Sequence, residues 1–331
     1  MKICHRSYLH NISRFYFGKI KSRGDFVKST AGSQVIALID RWVAQGMEAL
    51  IESPCWKISY DQAGPTDFLF MGADRKHAIH GTIVPGCDAS ARRFPFVAAT
   101  TFAINEPLSL LKFGPVYFYR HATRRKMQAA CAVTSADAHD ALACLTENDP
   151  ALKLDADEAK ERCRKFIAAT TIGGLAALLG LQDADASVRQ MVLALRYLLR
   201  PLPIASALRP HKAIAFPLPK DHANLPFVES FWLSLISVYV SNTKLEISVF
   251  STAFQGKPKL IVGFNGVTSL SFRALFEEQA ARDFLIDLGN SHWVEQDGHH
   301  DSASMKLSNY LTHGTLSLQQ LLITFGEVAR T

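Results

Sequence analysis

The chain has 331 residues, of which 48% are hydrophobic and 20% are charged, so it can form a sizeable folded core and is not a disordered protein. Its net charge is +6, but residues 1–28 hold seven of the 36 basic residues and one of the 30 acidic ones, which leaves the remainder neutral. Nucleic-acid-binding domains usually present a basic face, so this distribution argues against a nucleic acid partner. The other basic cluster, Arg124-Arg125-Lys126, is predicted to be a solvated helix face.

The cysteines and the apolar segments indicate a cytoplasmic protein that does not insert into a membrane. Six cysteines are scattered without a Cys-x-x-Cys pair, and we expect reduced thiols. We expect no secretory signal, since His5, Arg6, His10 and Arg14 precede any apolar run. The segment Phe166–Leu181 is shorter than the ~20 residues that a membrane span needs, and we predict a buried helix there.

In the first half, apolar periodicity predicts a helix, a hairpin and a central strand. Val35–Ile51 has apolar residues at three- and four-residue spacing, with Ser33 as the expected N-cap. Phe68–Met71 and Ala78–Val84 are predicted to pair as a hairpin, and Phe94–Ala103 to be a strand covered on both faces. Further helices are predicted at Ala122–Val133, Ala136–Thr146, Ala156–Leu181 and Ser187–Leu199.

A proline-rich segment separates the two halves of the chain. Six of the 14 prolines lie between Pro201 and Pro226, which predicts an N-terminal α/β region with a helical segment at 1–200 and a C-terminal α/β region at 201–331. Alternating helices and strands with hairpins predict an α/β sandwich with a mixed sheet. The elements predicted for the second half are strands at Ala213–Phe216, Leu245–Thr252 and Leu260–Phe264, helices at Val228–Val240, Ser271–Ala281 and Ser317–Phe325 (capped by Thr315), and a loop at Ser291–Ser304.

The segment Phe17–Val27 is the most informative part of the chain. It has glycines at positions 18 and 24 and four charged residues, Lys19, Lys21, Arg23 and Asp25. Because loops that hold fixed charges on a rigid scaffold often carry function, one interpretation is a binding surface. The other is a structural turn in which Asp25 caps the following segment, and both stay open. The loop lacks the Gly-Lys-Ser/Thr end of a phosphate-binding loop.

A second segment, from Gly81 to Pro95, places an acid and a base among turn residues between two apolar strands. Asp88 and Arg92 lie four residues apart. They form either an internal ion pair that fixes the loop or an exposed pair used in recognition. An exposed ion pair would add only about 0–1 kcal/mol of stability. If the pair is exposed, recognition of a partner therefore explains it better than stability does.

Neither segment contains an arrangement typical of an enzyme or a metal site. Cys87 beside Asp88 could serve a hydrolase-like enzyme in a cleft, yet the sequence places no histidine to activate it. His77 and His80 would face opposite sides of a strand, and His299-His300-Asp301 lacks a second pair of ligands. We therefore predict recognition and not catalysis, with no metal and no cofactor, and keep the hydrolase as the alternative.

Four blocks between residues 17 and 95 resemble the TagF family of type VI secretion-associated proteins, also called the ImpM or SciT family. The family pattern opens with Phe-Gly-Lys-(Leu/Ile)-Pro-x-x-Gly-Asp-Phe-Val, and the same order and spacing continue through the later blocks. In this chain the blocks are Phe17 to Val27, then Asp40 and Trp42, then Trp56, Tyr60, Pro65 and Phe68, and finally Gly81, Pro85, Gly86, Asp88, Ala91, Arg92, Phe94 and Pro95.

Three residues depart from the family pattern. Lys21 stands where the family has Pro, Gly86 where it has Ser, and Ala91 where it has Gly. Ala91 matters most, because glycine adopts backbone angles that alanine resists. We expect a reshaped loop, with consequences for partner choice and for repression.

The resemblance implies a three-layer α/β/α sandwich and a non-enzymatic, cytoplasmic repressor of type VI secretion that acts after translation by binding a protein. The implied partner is the forkhead-associated scaffold protein of the secretion system, within a Ser/Thr kinase and phosphatase pathway. A structural component of the secretion baseplate is a further alternative. We expect the two loops to lie close together and to form the docking surface. The candidate partner-binding residues are Gly18, Lys19, Arg23, Gly24, Asp25, Phe26, Asp88 and Arg92.

Overall fold

A computed structural model describes residues 9–147, 155–181, 184–203, 211–254, 256–295 and 301–330. Its strands are β1 (Leu9–Gly18), β2 (Val27–Lys28), β3 (Thr66–Met71), β4 (His77–Val84), β5 (Phe96–Ile104), β6 (Ala213–Pro217), β7 (Ile247–Phe254), β8 (Lys257–Gly263) and β9 (Leu285–Asp287). Its α-helices are α1 (Ser33–Ile51), α2 (Trp56–Gln62), α3 (Pro107–Thr134), α4 (His139–Thr146), α5 (Ala156–Ala169), α6 (Ile172–Leu178), α7 (Ala184–Leu199), α8 (Leu225–Val240), α9 (Ser269–Arg273), α10 (Glu278–Phe284), α11 (Ser302–Tyr310) and α12 (Leu318–Val328).

All nine described strands belong to one sheet in the order β2-β1-β5-β4-β3-β7-β8-β6-β9. Neighbouring strands are antiparallel except β6 and β9, which are parallel, so the sheet is mixed as the sequence predicts. The predicted hairpin forms between β3 and β4, where Phe68 lies opposite Gly81. Strands from both halves meet where β3 pairs with β7.

Helices cover both faces of the sheet and define three layers. On β5, Phe96 and Ala98 pack toward α3 and α4, while Val97 and Ala99 pack toward α1, which is the two-residue alternation of a strand buried on both faces. Helices α1, α2, α9 and α10 lie on one face, and α3 to α8, α11 and α12 lie on the other. The three-layer α/β/α sandwich is thus confirmed.

Two helices predicted from the sequence are each divided in the structure. The segment predicted as one helix over Ala156–Leu181 forms α5 and α6, because the side chain of Thr171 accepts a hydrogen bond from Gly174 N–H and starts a new helix. Likewise, the segment predicted as a helix over Ser271–Ala281 forms α9 and α10. Strands β1, β2 and β9 and helices α2 and α11 were not predicted.

Two predicted helix caps are also wrong. Gly32 in a left-handed conformation precedes α1, in place of Ser33. Ser317, in place of Thr315, caps α12 through a reciprocal pair of hydrogen bonds with Gln320.

Some predictions stay open. The division of the chain at residue 200 stays a prediction, although the sheet runs through both halves. Residues 1–8, Pro210, His299, His300 and the middle of the predicted Ser291–Ser304 loop lie outside the described residues. None of the helices in the described ranges is long and apolar enough to cross a membrane.

Candidate recognition surface

The two loops singled out in the sequence lie side by side at one end of the sheet. We call residues 18–27 and 85–95 together the paired-loop surface. The backbone N–H of Ala89 donates to the carbonyl of Arg23 at 2.8 Å, and Arg92 Nη2 donates to the carbonyl of Gly24 at 2.7 Å. The prediction that the loops adjoin is therefore confirmed.

The buried carboxylate of Asp88 links the two loops through hydrogen bonds. Asp88 is 1% exposed, and its Oδ2 accepts from Lys19 Nζ at 2.9 Å and from Arg92 Nε at 2.7 Å. Its Oδ1 accepts the backbone N–H groups of Ser90 and Arg92 at 2.9 and 3.0 Å. Burial alone would raise the pKa of Asp88, but the hydrogen bonds from Lys19 and Arg92 outweigh it and hold that pKa below its usual range. The internal ion pair, one of the two interpretations of Asp88 and Arg92, is present.

These contacts separate the candidate residues into a buried set and an exposed set. The charged groups of Lys19 and Asp88 lie beneath the loops, with side chains 10% and 0% exposed, so they do not form the outer face expected of partner contacts. Both instead fix the loop geometry. Arg23, Gly24, Asp25, Phe26 and Arg92 are exposed.

The exposed set presents an aromatic ring flanked by charges of both signs. Phe26 is 49% exposed, yet it is held edge-to-face against Phe94 at 4.9 Å between ring centroids, with Lys19 Nζ 5.1 Å from its ring. The Arg92 side chain is 61% exposed despite its bond to Asp88. Asp25 Oδ1 accepts the N–H of Phe26 at 2.8 Å, a local contact that leaves both interpretations of Asp25 open.

Two glycines allow the close approach of the loops. A Cβ on Gly18, whose φ is +135°, would lie 2.3 Å from the carbonyl oxygen of Pro95. A Cβ on Gly86 would lie 2.5 Å from the carbonyl oxygen of Lys19, so the serine of the family pattern would push the loops apart here. The hydroxyl of Tyr60 accepts from Gly86 N–H at 2.8 Å and donates to Gly86 C=O at 2.9 Å, which anchors this turn on α2.

Ala91 adopts the left-handed conformation that the family glycine suggests. Its φ is +59°, and its N–H donates to the carbonyl of Asp88 at 2.9 Å. The turn is therefore kept even though the residue is not glycine. The substitution strains the backbone and does not abolish the turn.

Sequence analysis missed an extension of this surface onto α2. Arg93 donates to both carboxylate oxygens of Asp61, at 2.8 and 2.6 Å, and its guanidinium lies 5.8 Å from the ring of Trp56. The hydrogen bonds from Arg93 lower the pKa of Asp61. Trp56 is only half-buried. Arg92 and Arg93 are adjacent in sequence, and adjacent side chains of an extended segment point to opposite sides. This alternation is the signal from which different partners for the two arginines could have been predicted.

The position proposed for the hydrolase alternative is occupied by structural contacts. The Asp88 carboxylate accepts from two cationic side chains and two backbone N–H groups, and Cys87 forms an isolated β-bridge with Arg93. Within the described residues no group of three or more His, Cys, Asp or Glu side chains could hold a metal ion.

The basic triplet on α3 is not a solvated face. Arg124 is exposed, but Arg125 is 3% exposed and donates to His80 C=O and to Thr82 Oγ1, each at 3.1 Å. Lys126 Nζ lies 2.7 Å from Asp67 Oδ2. Three consecutive helical residues span most of a turn, and of these three Arg125 points inward, where it packs against β4.

A protein-family comparison matches the part of the chain that carries both loops. Residues 15–144 match the family model of the TagF N-terminal domain, described as type VI secretion system-associated, and that stretch contains the whole paired-loop surface. The chain is therefore a type VI secretion-associated protein. The match covers the N-terminal part of the chain and supports a TagF-family protein.

Two further comparisons add no second family. No curated protein matches the chain. Among solved structures it is similar to the crystal structure of PA0076 from Pseudomonas aeruginosa PAO1, with 22% identity over 46% of this chain and 78% of that one and a TM-score of 0.34.

Proposed function

We propose that this protein is a cytoplasmic repressor of type VI secretion that acts after translation, by binding and not by catalysis, and that its partner is the forkhead-associated scaffold of the kinase and phosphatase pathway. The observation that supports this most is the exposed set of the paired-loop surface. Arg23, Asp25 and Phe26 are displayed on a backbone that buried contacts hold in place.

The chemistry of the exposed set suits a protein partner. Aromatic and arginine side chains are enriched where binding energy concentrates in interfaces, and a preorganised loop loses little conformational entropy on binding. Phe26 is a half-exposed ring already held against Phe94. Charges of both signs beside it would orient a partner.

Arg92 is a poor probe of binding, since its side chain also holds the loops together through Asp88 and Gly24. The cleaner test replaces Arg23, Asp25 and Phe26 together, as Arg23→Ala/Asp25→Ala/Phe26→Ser. Binding of the purified scaffold protein is measured by calorimetry. We expect a loss of affinity of at least tenfold, which is about 1.4 kcal/mol. The melting temperature should fall by no more than about 4 °C, because Phe26 loses only its ring contacts with Phe94 and Lys19 and the two charged side chains are exposed.

The matched control is Glu278→Ala/Arg282→Ala, an exposed charge pair on α10 in the second half. It should bind like wild type. Secretion measured in cells carrying each variant then tests repression. If the triple variant and wild type bind the scaffold equally, the interface lies elsewhere on the protein. If the protein is retained stoichiometrically in purified baseplates and does not bind the scaffold, the structural alternative is favoured.

A further inference from the structure

A cavity of about 520 Å³ lies between the sheet and helices α3 and α8, away from the paired-loop surface. Its volume is within the ~300–1,000 Å³ typical of small-molecule sites. The wall is mostly apolar and includes Phe118, Leu233 and Val249. The polar groups that reach it come from both halves of the chain and include Asp67, Lys126, Glu229 and Ser251.

Glu229 is the unusual member of this wall. It is 6% exposed on α8, and its Oε1 accepts a hydrogen bond from Ser251 Oγ at 2.5 Å. Asp67, on the same wall, has Lys126 Nζ at 2.7 Å. Within the described ranges no cationic side chain forms an ion pair with Glu229. A carboxyl group thus lines an apolar cavity without a counterion of its own.

Burial raises the pKa of Glu229 to about 7; the hydrogen bond from Ser251 and the charge of Lys126 oppose the rise, and the charge of Asp67 adds to it. Near neutral pH the group is therefore divided between its acid and carboxylate forms. A buried carboxylate is stabilised when a cation pairs with it. A cationic ligand bound beside Glu229 would stabilise its carboxylate form and so displace the proton from the carboxyl group.

We propose that this cavity binds a small organic ammonium ion, with its apolar body against the wall formed by β3, α3 and α8 and its charged nitrogen at the carboxylate of Glu229. An anionic ligand would meet the carboxylates of Asp67 and Glu229 together. A neutral ligand would leave Glu229 without a counterion. The site is separate from the proposed docking surface, and either can fail without the other.

The test uses three probes that share a phenylethyl body and differ in the head group: 2-phenylethylamine, 2-phenylethanol and 3-phenylpropionate. Titration calorimetry on the full chain at pH 8 should show binding of the amine, at least tenfold weaker binding of the alcohol, and none of the acid. Glu229→Gln keeps the side-chain shape and an acceptor for Ser251, and should weaken amine binding at least tenfold. Glu48→Gln, an exposed glutamate on α1, should change nothing.

The pH dependence identifies the group that pairs with the amine. Asp67, Lys126, His80 and His222 line the cavity with Glu229. Burial and the nearby Arg125 lower the pKa of His80 well below its usual value, so it stays neutral. With the pKa of Glu229 at about 7, amine affinity should rise about tenfold from pH 6 to pH 8. This rise should persist in His222→Gln and vanish in Glu229→Gln.

Proton release is measured on the unmodified chain, by titrating the amine in buffers of different ionisation enthalpy, so the test does not depend on a variant that folds. Release of part of a proton at pH 7 supports the site. Absence of amine binding, equal binding of amine and alcohol, or a pH dependence that disappears with His222→Gln would overturn it.

Discussion

At the scale of single residues, the paired-loop surface divides residues that hold the loops from residues that face solvent. Lys19 and Asp88 are buried together, and Arg92 spans both roles because its guanidinium contacts Asp88 while most of its side chain is exposed. A pattern read from sequence cannot make this division, since both sets are charged loop residues. The division decides which substitutions test binding and which test folding.

Ala91 offers a test of the strain in the second loop. An L-residue in the left-handed region is disfavoured by about 1–2 kcal/mol, partly offset because glycine loses more entropy on folding. Ala91→Gly should therefore raise the free energy of unfolding by about 0.5–1 kcal/mol, measured by urea denaturation. Ala89→Gly, in the same loop but without a positive φ, is the matched control and should lower it. A loss of stability in both variants would mean that Ala91 is unstrained.

The paired loops could be predicted from sequence, whereas the polar cluster beneath α3 could not. Glycines and fixed charges at 18–25 signal a loop directly. Arg125 meets His80 and Thr82, which precede it by more than 40 residues, and no local pattern specifies such a contact. Glu229 and Ser251 are likewise brought together only by the packing of α8 on β7.

At the scale of elements, α1 packs against α9 through a glycine. A Cβ on Gly46 would lie 2.2 Å from Cγ and 2.5 Å from Cβ of Phe272, and the latter cannot move without moving α9. The higher helix propensity of alanine alone would make Gly46→Ala more stable by about 1 kcal/mol. Overpacking of this kind costs about 1–3 kcal/mol. With so short a contact, we expect a net loss of about 1–2 kcal/mol in unfolding free energy.

The control for Gly46 is Gly326→Ala in α12, where an added Cβ would have no neighbour within 4 Å. It should stabilise the protein by about 0.5–1 kcal/mol through helix propensity alone. Urea unfolding of both variants measures the contrast. Stabilisation by Gly46→Ala as well would show that α9 shifts freely, contrary to the tight contact described.

Elements with regular periodicity were predictable, and those with interrupted patterns were not. Helix α1 shows repeated apolar residues and was predicted to within a turn at its start. Strand β1 was missed because its pairing with β5 shifts register between His10 and Ser13, where Asn11 has a positive φ, so buried and exposed residues do not alternate along it. The break between α5 and α6 was missed because Thr170 and Thr171 lie inside a continuous apolar run.

At the scale of the whole molecule, the two halves share one sheet and one core. Strand β3 pairs with β7 along five residues, with Phe68 opposite Phe250. Trp42 Nε1 donates across the halves to the carbonyl of Thr268 at 2.9 Å. The TagF N-terminal domain at 15–144 ends before these partners begin. One edge of its sheet is therefore covered by the second half.

This arrangement makes the predicted division at residue 200 testable. A fragment of residues 1–200 would leave the edge of β3 unpaired and expose the apolar side chains that β7 and α8 cover. We expect it to lack a cooperative urea transition by circular dichroism and to aggregate. Co-expression with residues 201–331 should restore a soluble complex with one transition, because β3 and β7 could pair again. Cooperative unfolding of the fragment alone would instead establish two independent domains, with the β3–β7 pairing an interface between them.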